Sequence, residues 1–338
     1  MLKKTLLSIG LITPFLLSAI TSNTKLQYTN CNFKEKKYER VCNELKKEKI
    51  NINYINKFLL LPKNKKVDYV TLKLFEPKKI KMHKKNEKRA NNTLVKHIPT
   101  IYKHLIKYKK VYDKVEKKYN VNREIIAAIL TKETWLGKIK PKHDAWVVFN
   151  TLYLKIEPDS KRNNRLKKMG KNNMKHIIRY CYKNKVEPYN CNFKSSYAGA
   201  VGIPQFMPMN FWLIKSFEKG KRGDLNKMED AIMSAGNFLN KNAKFKKLIN
   251  WNKMPKIETI ENEWYNFLFK QNSVSYFKKE NKKNIYMLLK GNKHKNIEYL
   301  NKYLKKILRY NNSINYAMGV LRIGQELNLY KKMAEKKN

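Results

Sequence analysis

The chain has 338 residues, 75 Lys and Arg against 26 Asp and Glu, and a formal net charge of +49. Its 42% hydrophobic and 12% aromatic content suffices for one large core or two of ordinary size and excludes a chain disordered throughout. Eleven Gly, ten Pro and no sustained heptads exclude collagen-like and coiled-coil classes, and the lack of an internal apolar run of about 18 residues excludes a polytopic membrane protein.

In chain order, residues 1–22 read as a secretory signal. Lys3 and Lys4 form its charged start, and residues 5–20 are mostly apolar, broken by Pro14. The run is short for a span of about 20 residues, so the expectation is cleavage and export to a periplasmic location. Leu17-Ser18-Ala19 is a poor cleavage site, and an uncleaved signal would retain the chain at the membrane. Cys31 and Cys42 are 11 apart, Cys181 and Cys191 are 10 apart, and the His are scattered, so no metal site is expected. In an oxidising compartment two local disulfides are the simplest connectivity, each contributing about 2–3 kcal/mol. Four buried thiols are the alternative.

Residues 23–92 are Lys-heavy, with one helix expected near residues 41–60. Pro62, Pro77 and the basic run 78–89 make 61–92 read as a loosely structured crossing segment. Residues 93–335 are helical in pattern, so the fold class is mostly α with an additional N-terminal helical segment. One helix is expected after Asn122 as N-cap, with Ile125, Ile126, Ile129 and Leu130 as its apolar stripe. Glu133 projects from that same stripe. A second helix is expected after Asn226, with Glu229 in a capping arrangement and Met228, Ile232, Ala235, Phe238 and Leu239 on its buried face.

The basic residues are 66 Lys and only nine Arg, beside 41 Asn and 21 Tyr. A sequence-reading nucleic-acid binder leans on Arg, and no recognised basic motif occurs, so no specific nucleic-acid partner is expected. A surface this cationic will still bind anionic polymers non-specifically at low salt.

Three stretches carry candidate chemistry. A carboxylate on an apolar face loses solvation, which favours its protonated form; Glu133 therefore fits a general acid, or alternatively a helix-end Glu paired to Lys132 or Lys138. Residues 195–208 hold 14 residues without a charge, with two Gly and the lone amide Gln205 between Pro204 and Phe206. They form either a tight turn into a buried helix or a ligand floor with Ser196 and Gln205 as polar groups. Tyr310, Asn311 and Tyr316 could face a sugar, while Asn311 could equally cap the last helix.

Together these stretches resemble lytic murein transglycosylase B and its relatives. The likeness rests on Glu-Thr-Trp-Leu-Gly at 133–137, Ser-Tyr-Ala-Gly-Ala-Val-Gly-Ile-Pro-Gln-Phe-Met-Pro at 196–208 and Arg-Tyr-Asn-Asn-Ser-Ile-Asn-Tyr-Ala-Met at 309–318, and covers roughly residues 40–335. The resemblance implies a lysozyme-like fold with a catalytic domain over 93–335. It implies cleavage of the MurNAc-β-1,4-GlcNAc bond of peptidoglycan glycan strands to 1,6-anhydro ends, without cofactor. Glu133 would be the only acid/base, which agrees with the lack of a second carboxylate nearby in sequence. Ser196, Gln205, Tyr310, Asn311 and Tyr316 would orient the sugars, with Tyr153 and Tyr108 as further candidates. Partners in wall synthesis or hydrolysis are left open, and a non-catalytic wall-binding protein is the competing reading.

The chain also departs from that pattern. Relatives often place Trp one residue nearer the Gly, and the stretch from Gly137 to Asp144 is about three residues short. Lys155 and Ile156 stand where relatives carry two Arg. The segment matching a calcium loop, residues 215–224, is too basic for a divalent cation, so no calcium is expected.

Overall fold

A computed structural model describes residues 29–270 and 295–337 of the chain. The signal read over 1–22 lies outside the described residues. No helix among the described residues is long and apolar enough to cross a membrane.

The N-terminal segment is more helical than its composition suggested. In place of one helix over 41–60 there are two, α1 (Lys36–Lys47) and α2 (Ile52–Leu59). The chain turns between them through Lys49 at φ +62°, and Asn51 caps α2 by accepting from the Tyr54 N–H. Residues 61–92 are not loose either: α3 (Tyr69–Leu74) is followed by α4 (Pro77–Val95), with Pro77 in the first turn where its missing N–H costs nothing. The Lys-rich sequence of α4 hid a 19-residue helix; among its described side chains Asn91 is fully buried, and Leu94 and Val95 pack against the first core.

Helices α5 (Ile98–Lys107), α6 (Lys109–Tyr119) and α7 (Arg123–Thr134) follow, then α8 (Ala145–Lys155) and α9 (Lys161–Lys183). After the motif loop come α10 (Met228–Lys241), α11 (Ile257–Lys270), α12 (Ile297–Ile307) and α13 (Ile314–Lys337). Sheet among the described residues is confined to β1 (His143–Asp144) and β2 (Lys194–Ser195), paired antiparallel with His143 opposite Ser195, and to isolated bridges in the motif loop.

Two apolar cores organise these helices. One is built from α5, α6, α7 and α10–α13, and the other from α1, α2, α8, α9 and the motif loop. Tyr310 packs against both. Helix α7 runs through the first core with every residue from Glu124 to Thr131 buried, rather than with one stripe inside. Burying Ile125, Ile126, Ile129 and Leu130 stabilises by about 1.5–3 kcal/mol each. Helix α1 supplies Val41 and Leu45 to the second core, and its Tyr38 hydroxyl donates to Asn150 Oδ1 on α8 at 2.8 Å. The N-terminal helices therefore share a core with the helices beyond residue 93. Disulfides join Cys31 to Cys42 and Cys181 to Cys191, so the chain takes the local pairing.

Asn122 is the N-cap residue of α7, as expected, but its side chain is turned elsewhere: it accepts from the Ile249 N–H at 2.6 Å and donates to the Ile249 carbonyl at 3.2 Å. Lys227, not Asn226, is the N-cap residue of α10.

Candidate active site

Glu133 stands in the last turn of α7, where that helix stops. The stop is an αL cap: Trp135 N–H reaches the Thr131 carbonyl at 2.9 Å, and Leu136 N–H folds back to the Leu130 carbonyl at 3.0 Å. Trp135 and Leu136 both take left-handed backbone angles, φ +53° and +54°, before Gly137 at +78°. The Thr134 hydroxyl donates to the Ile203 carbonyl at 2.9 Å and accepts from the Gly137 N–H at 3.1 Å. Thr134 thus fastens the helix end to the motif loop.

That loop folds on itself through small residues. Val201 and Phe206 exchange both backbone hydrogen bonds, at 2.9 and 3.0 Å, and Ser196 N–H donates to the Ala200 carbonyl at 2.8 Å. Gly199 and Gly202 take φ +81° and +71°, and a Cβ there would lie 2.2 Å from the Phe149 ring and 2.3 Å from Leu225. Only Gly meets both demands. Gln205 also sits in the left-handed region, at φ +50°, and its amide Nε2 donates to the Gly202 carbonyl at 2.8 Å. Tyr310 closes the wall opposite by donating to the Pro204 carbonyl at 2.5 Å.

The carboxyl of Glu133 is enclosed by this wall and by α13. Tyr316 donates its hydroxyl to Glu133 Oε1 at 2.7 Å. Loss of solvation pushes the carboxyl up to about 7, against the Tyr316 hydrogen bond and the Lys132 charge, which lower it; Glu87 raises it further. Burial and the Glu133 charge in turn push the hydroxyls of Tyr310 and Tyr316 well above the usual range. At neutral pH both tyrosines are donors, and a large share of Glu133 carries a proton.

Lys132 and Glu87 belong to a polar network that the sequence did not reveal. Lys132 Nζ lies 5.0 Å from the centre of the Tyr316 ring and donates to Asn91 Oδ1 on α4. Asn91 Nδ2 donates to Glu261 Oε1 at 2.7 Å and to the Asn315 carbonyl at 3.0 Å, and the buried Arg322 holds Glu261 Oε2 at 2.8 Å. Glu87 accepts from the Ser313 hydroxyl at 2.8 Å, and the same oxygen of Ser313 accepts from the Tyr316 N–H at 3.2 Å. A second carboxylate therefore lies within electrostatic reach of Glu133, although it is 46 residues earlier in sequence. Ser313, not Asn311, serves the start of α13.

The candidate residues divide accordingly. Glu133, Tyr310 and Tyr316 come together, and Tyr310 reaches Pro204 in the loop that holds Gln205 and Ser196, whose Oγ accepts from the Ala200 N–H at 3.3 Å. Asn311 is exposed just ahead of α13. Tyr153 is buried in the second core and donates to the Lys37 carbonyl at 3.0 Å, and Tyr108 sits between α5 and α6 with its ring 4.7 Å from His104. The contacts of those two tyrosines belong to packing.

The segment matched to a calcium loop is held by a side chain. Asp230, buried on α10, accepts from the Phe217 N–H at 2.7 Å, the Asp224 N–H at 2.8 Å and the Ser216 hydroxyl at 3.2 Å. Among the described residues no group of His, Cys, Asp or Glu is arranged to hold a metal ion.

The helical fold is that of the lysozyme-like lytic transglycosylases, and a protonatable carboxyl beside a glycine-rich wall is compatible with such an enzyme. The chain belongs to the family described as "Transglycosylase SLT domain", which matches residues 33–325. Among solved structures, it is similar to the Escherichia coli lytic transglycosylase Slt35 in complex with bulgecin A, with TM-score 0.58 and 18% identity over 87% of this chain and 93% of that one. It is also similar to Pseudomonas aeruginosa SltB3 in complex with NAG-anhNAM-pentapeptide, with TM-score 0.54 and 14% identity over 88% and 79%. Likeness to these structures establishes the fold. A comparison with curated proteins finds no match.

Proposed function

We propose that the chain is an exported enzyme that cleaves the MurNAc-β-1,4-GlcNAc bond without water, with Glu133 as its one acid/base. The observation that carries this reading is the enclosed Glu133 carboxyl, pushed up to about 7 and held by Tyr316. Because Oε1 accepts from Tyr316, Oε2 is left to carry the proton. That proton passes to the glycosidic oxygen as its bond to muramyl C1 breaks. The resulting carboxylate takes the proton of the muramyl C6 hydroxyl as O6 bonds to C1. Glu133 returns protonated, a 1,6-anhydro ring is formed and no water is consumed.

Hydrolytic glycosidases need two carboxylates that flank the bond. Glu87 is not read as such a partner, since its carboxylate is hydrogen-bonded to Ser313 ahead of α13. Its part is electrostatic. Gln205, Ser196 and Tyr310 would orient the sugars from the wall. Binding of peptidoglycan fragments by SltB3, whose structure was also solved with NAG-NAM-pentapeptide, supports glycan strands as the substrate. Two disulfides and the signal-like start support export to an oxidising compartment.

The test is digestion of purified sacculi by the wild type and by Glu133→Gln, with soluble products read by mass spectrometry. Products lighter by one water than hydrolytic muropeptides, from the wild type only, are expected. Hydrated products would make the enzyme a muramidase. Binding of both proteins to sacculi with no products would favour the wall-binding reading.

A further inference from the structure

Outside the candidate active site, a cavity of about 470 Å³ lies between α9 and residues 208–223. Its size is that of a small-ligand site. The floor is aromatic, formed by Tyr180 and Phe211, and Trp212 stands at its edge 66% exposed, the most exposed of the five Trp. An exposed Trp ring gains nothing from the fold where it stands, whereas its flat face can cover the C–H face of a sugar.

The rim is cationic, and no Asp or Glu lines it. Two of its cations are already engaged, Arg179 with Glu48 and Lys221 with Glu218. No carboxylate among the described residues pairs with Lys183, Lys215 or Arg222. In a chain of +49, cations alone would identify nothing. A second concavity of about 630 Å³ against α12, with Lys244, Lys302 and Lys305 at its walls, makes the contrast: no aromatic residue lines it, and Glu298 does. The cavity at Trp212 combines a stacking surface, an apolar floor and uncompensated positive charge.

We infer that this cavity binds a carboxylate-bearing saccharide, with Trp212 on the sugar face and Lys183, Lys215 and Arg222 at the carboxylate. Its source is the peptide-bearing muramyl unit of the wall polymer, an assignment that rests on the proposed function. The cavity begins at Pro208, three residues beyond Gln205, so one continuous segment serves both the cleft wall and this second site. Arg222 can grip a carboxylate through two parallel N–H groups, which Lys cannot.

The experiment uses Glu133→Gln protein labelled with 5-fluorotryptophan, so that binding is read without turnover. The Trp135 resonance reports on the cleft and the Trp212 resonance on the cavity, each assigned by a Trp→Phe variant. The probe is the GlcNAc–MurNAc disaccharide with a tripeptide stem, compared with the same molecule with its carboxylates amidated. The acid probe is expected to shift the Trp212 resonance saturably. Amidation, or Lys183→Ala with Arg222→Ala, should weaken that response about tenfold. Lys302→Ala with Lys305→Ala should leave it unchanged.

Equal response to the amidated probe, or equal loss in the Lys302 and Lys305 double variant, overturns the inference. A Trp212 resonance that stays still while Trp135 shifts does the same. A response to trigalacturonate but not to the disaccharide peptide overturns the wall assignment. A Trp212 response with an unmoved Trp135 upholds this site while counting against the cleft reading.

Discussion

At the scale of single residues, the proposed chemistry turns on the charges around one carboxyl. Glu133 must be protonated to act as the acid, and its carboxyl is pushed up to about 7, so kcat/KM should fall as pH rises beyond that value. Lys132 lowers it and Glu87 raises it. Lys132→Met should therefore move the alkaline limb of the pH–rate profile upward, and Glu87→Gln should move it downward. Opposite displacements separate an electrostatic role from loosened packing, which would shift both variants alike or neither. The same group makes stability pH-dependent. Raised in the folded state above its ordinary 4.5, Glu133 contributes fully below pH 4.5, and that contribution is lost as pH rises through about 7. Glu133→Gln cannot ionise, so it should match the wild type in acid and exceed it above pH 7 by at most about 3 kcal/mol in denaturant unfolding. A variant no more stable at pH 8 than the wild type would refute that accounting.

At the scale of elements, what the sequence disclosed and what it hid follow from one distinction. Helical periodicity located α7 and placed Glu133 on its apolar side, because apolar residues at helical spacing are legible one helix at a time. The uncharged loop with Gly199, Gly202 and Gln205 was legible because it interrupts a Lys-rich chain. Helix α4 was not, since its sequence is dominated by Lys and Asn and its fully buried contact among the described side chains is Asn91, and so Glu87 went unseen. Ser313 was likewise missed as the residue serving α13, because its partners Glu87 and Tyr316 meet only in the folded chain. Asp230 carried no signal either, although it orders residues 215–224 through three accepted hydrogen bonds. Asp230→Ala would strand two backbone donors and should cost about 1–3 kcal/mol, measurable by thermal or denaturant unfolding. Calcium or a chelator should leave the melting temperature of the wild type unchanged; a rise with calcium would show that the loop takes a cation after all.

At the scale of the molecule, two cores meet at Tyr310, and the candidate cleft lies where they join. The N-terminal helices are part of this arrangement. Helix α1 gives Val41 and Leu45 to the second core and α2 gives Ile55 and Phe58, while α4 brings Glu87 and Asn91 to the network behind Glu133. Deleting residues 29–76 would uncover those apolar contacts on α8 and α9. The shortened protein should lose its cooperative melt and aggregate. A soluble fragment with a sharp transition near that of the intact chain would show that the second core closes without them.

The left-handed pair after Glu133 has a consequence of its own. For side chains as bulky as Trp135 and Leu136, this backbone region costs about 1–2 kcal/mol per residue, a cost Gly would avoid. The fold thus keeps a small mechanical tension one residue from Glu133. It is sustained by the backbone bonds of Trp135 and Leu136 to Thr131 and Leu130 on one side and by the Thr134 grip on Ile203 on the other. Stability is given up there in exchange for two large side chains held beside the Glu133 carboxyl, in a bend that a more relaxed sequence would leave bare.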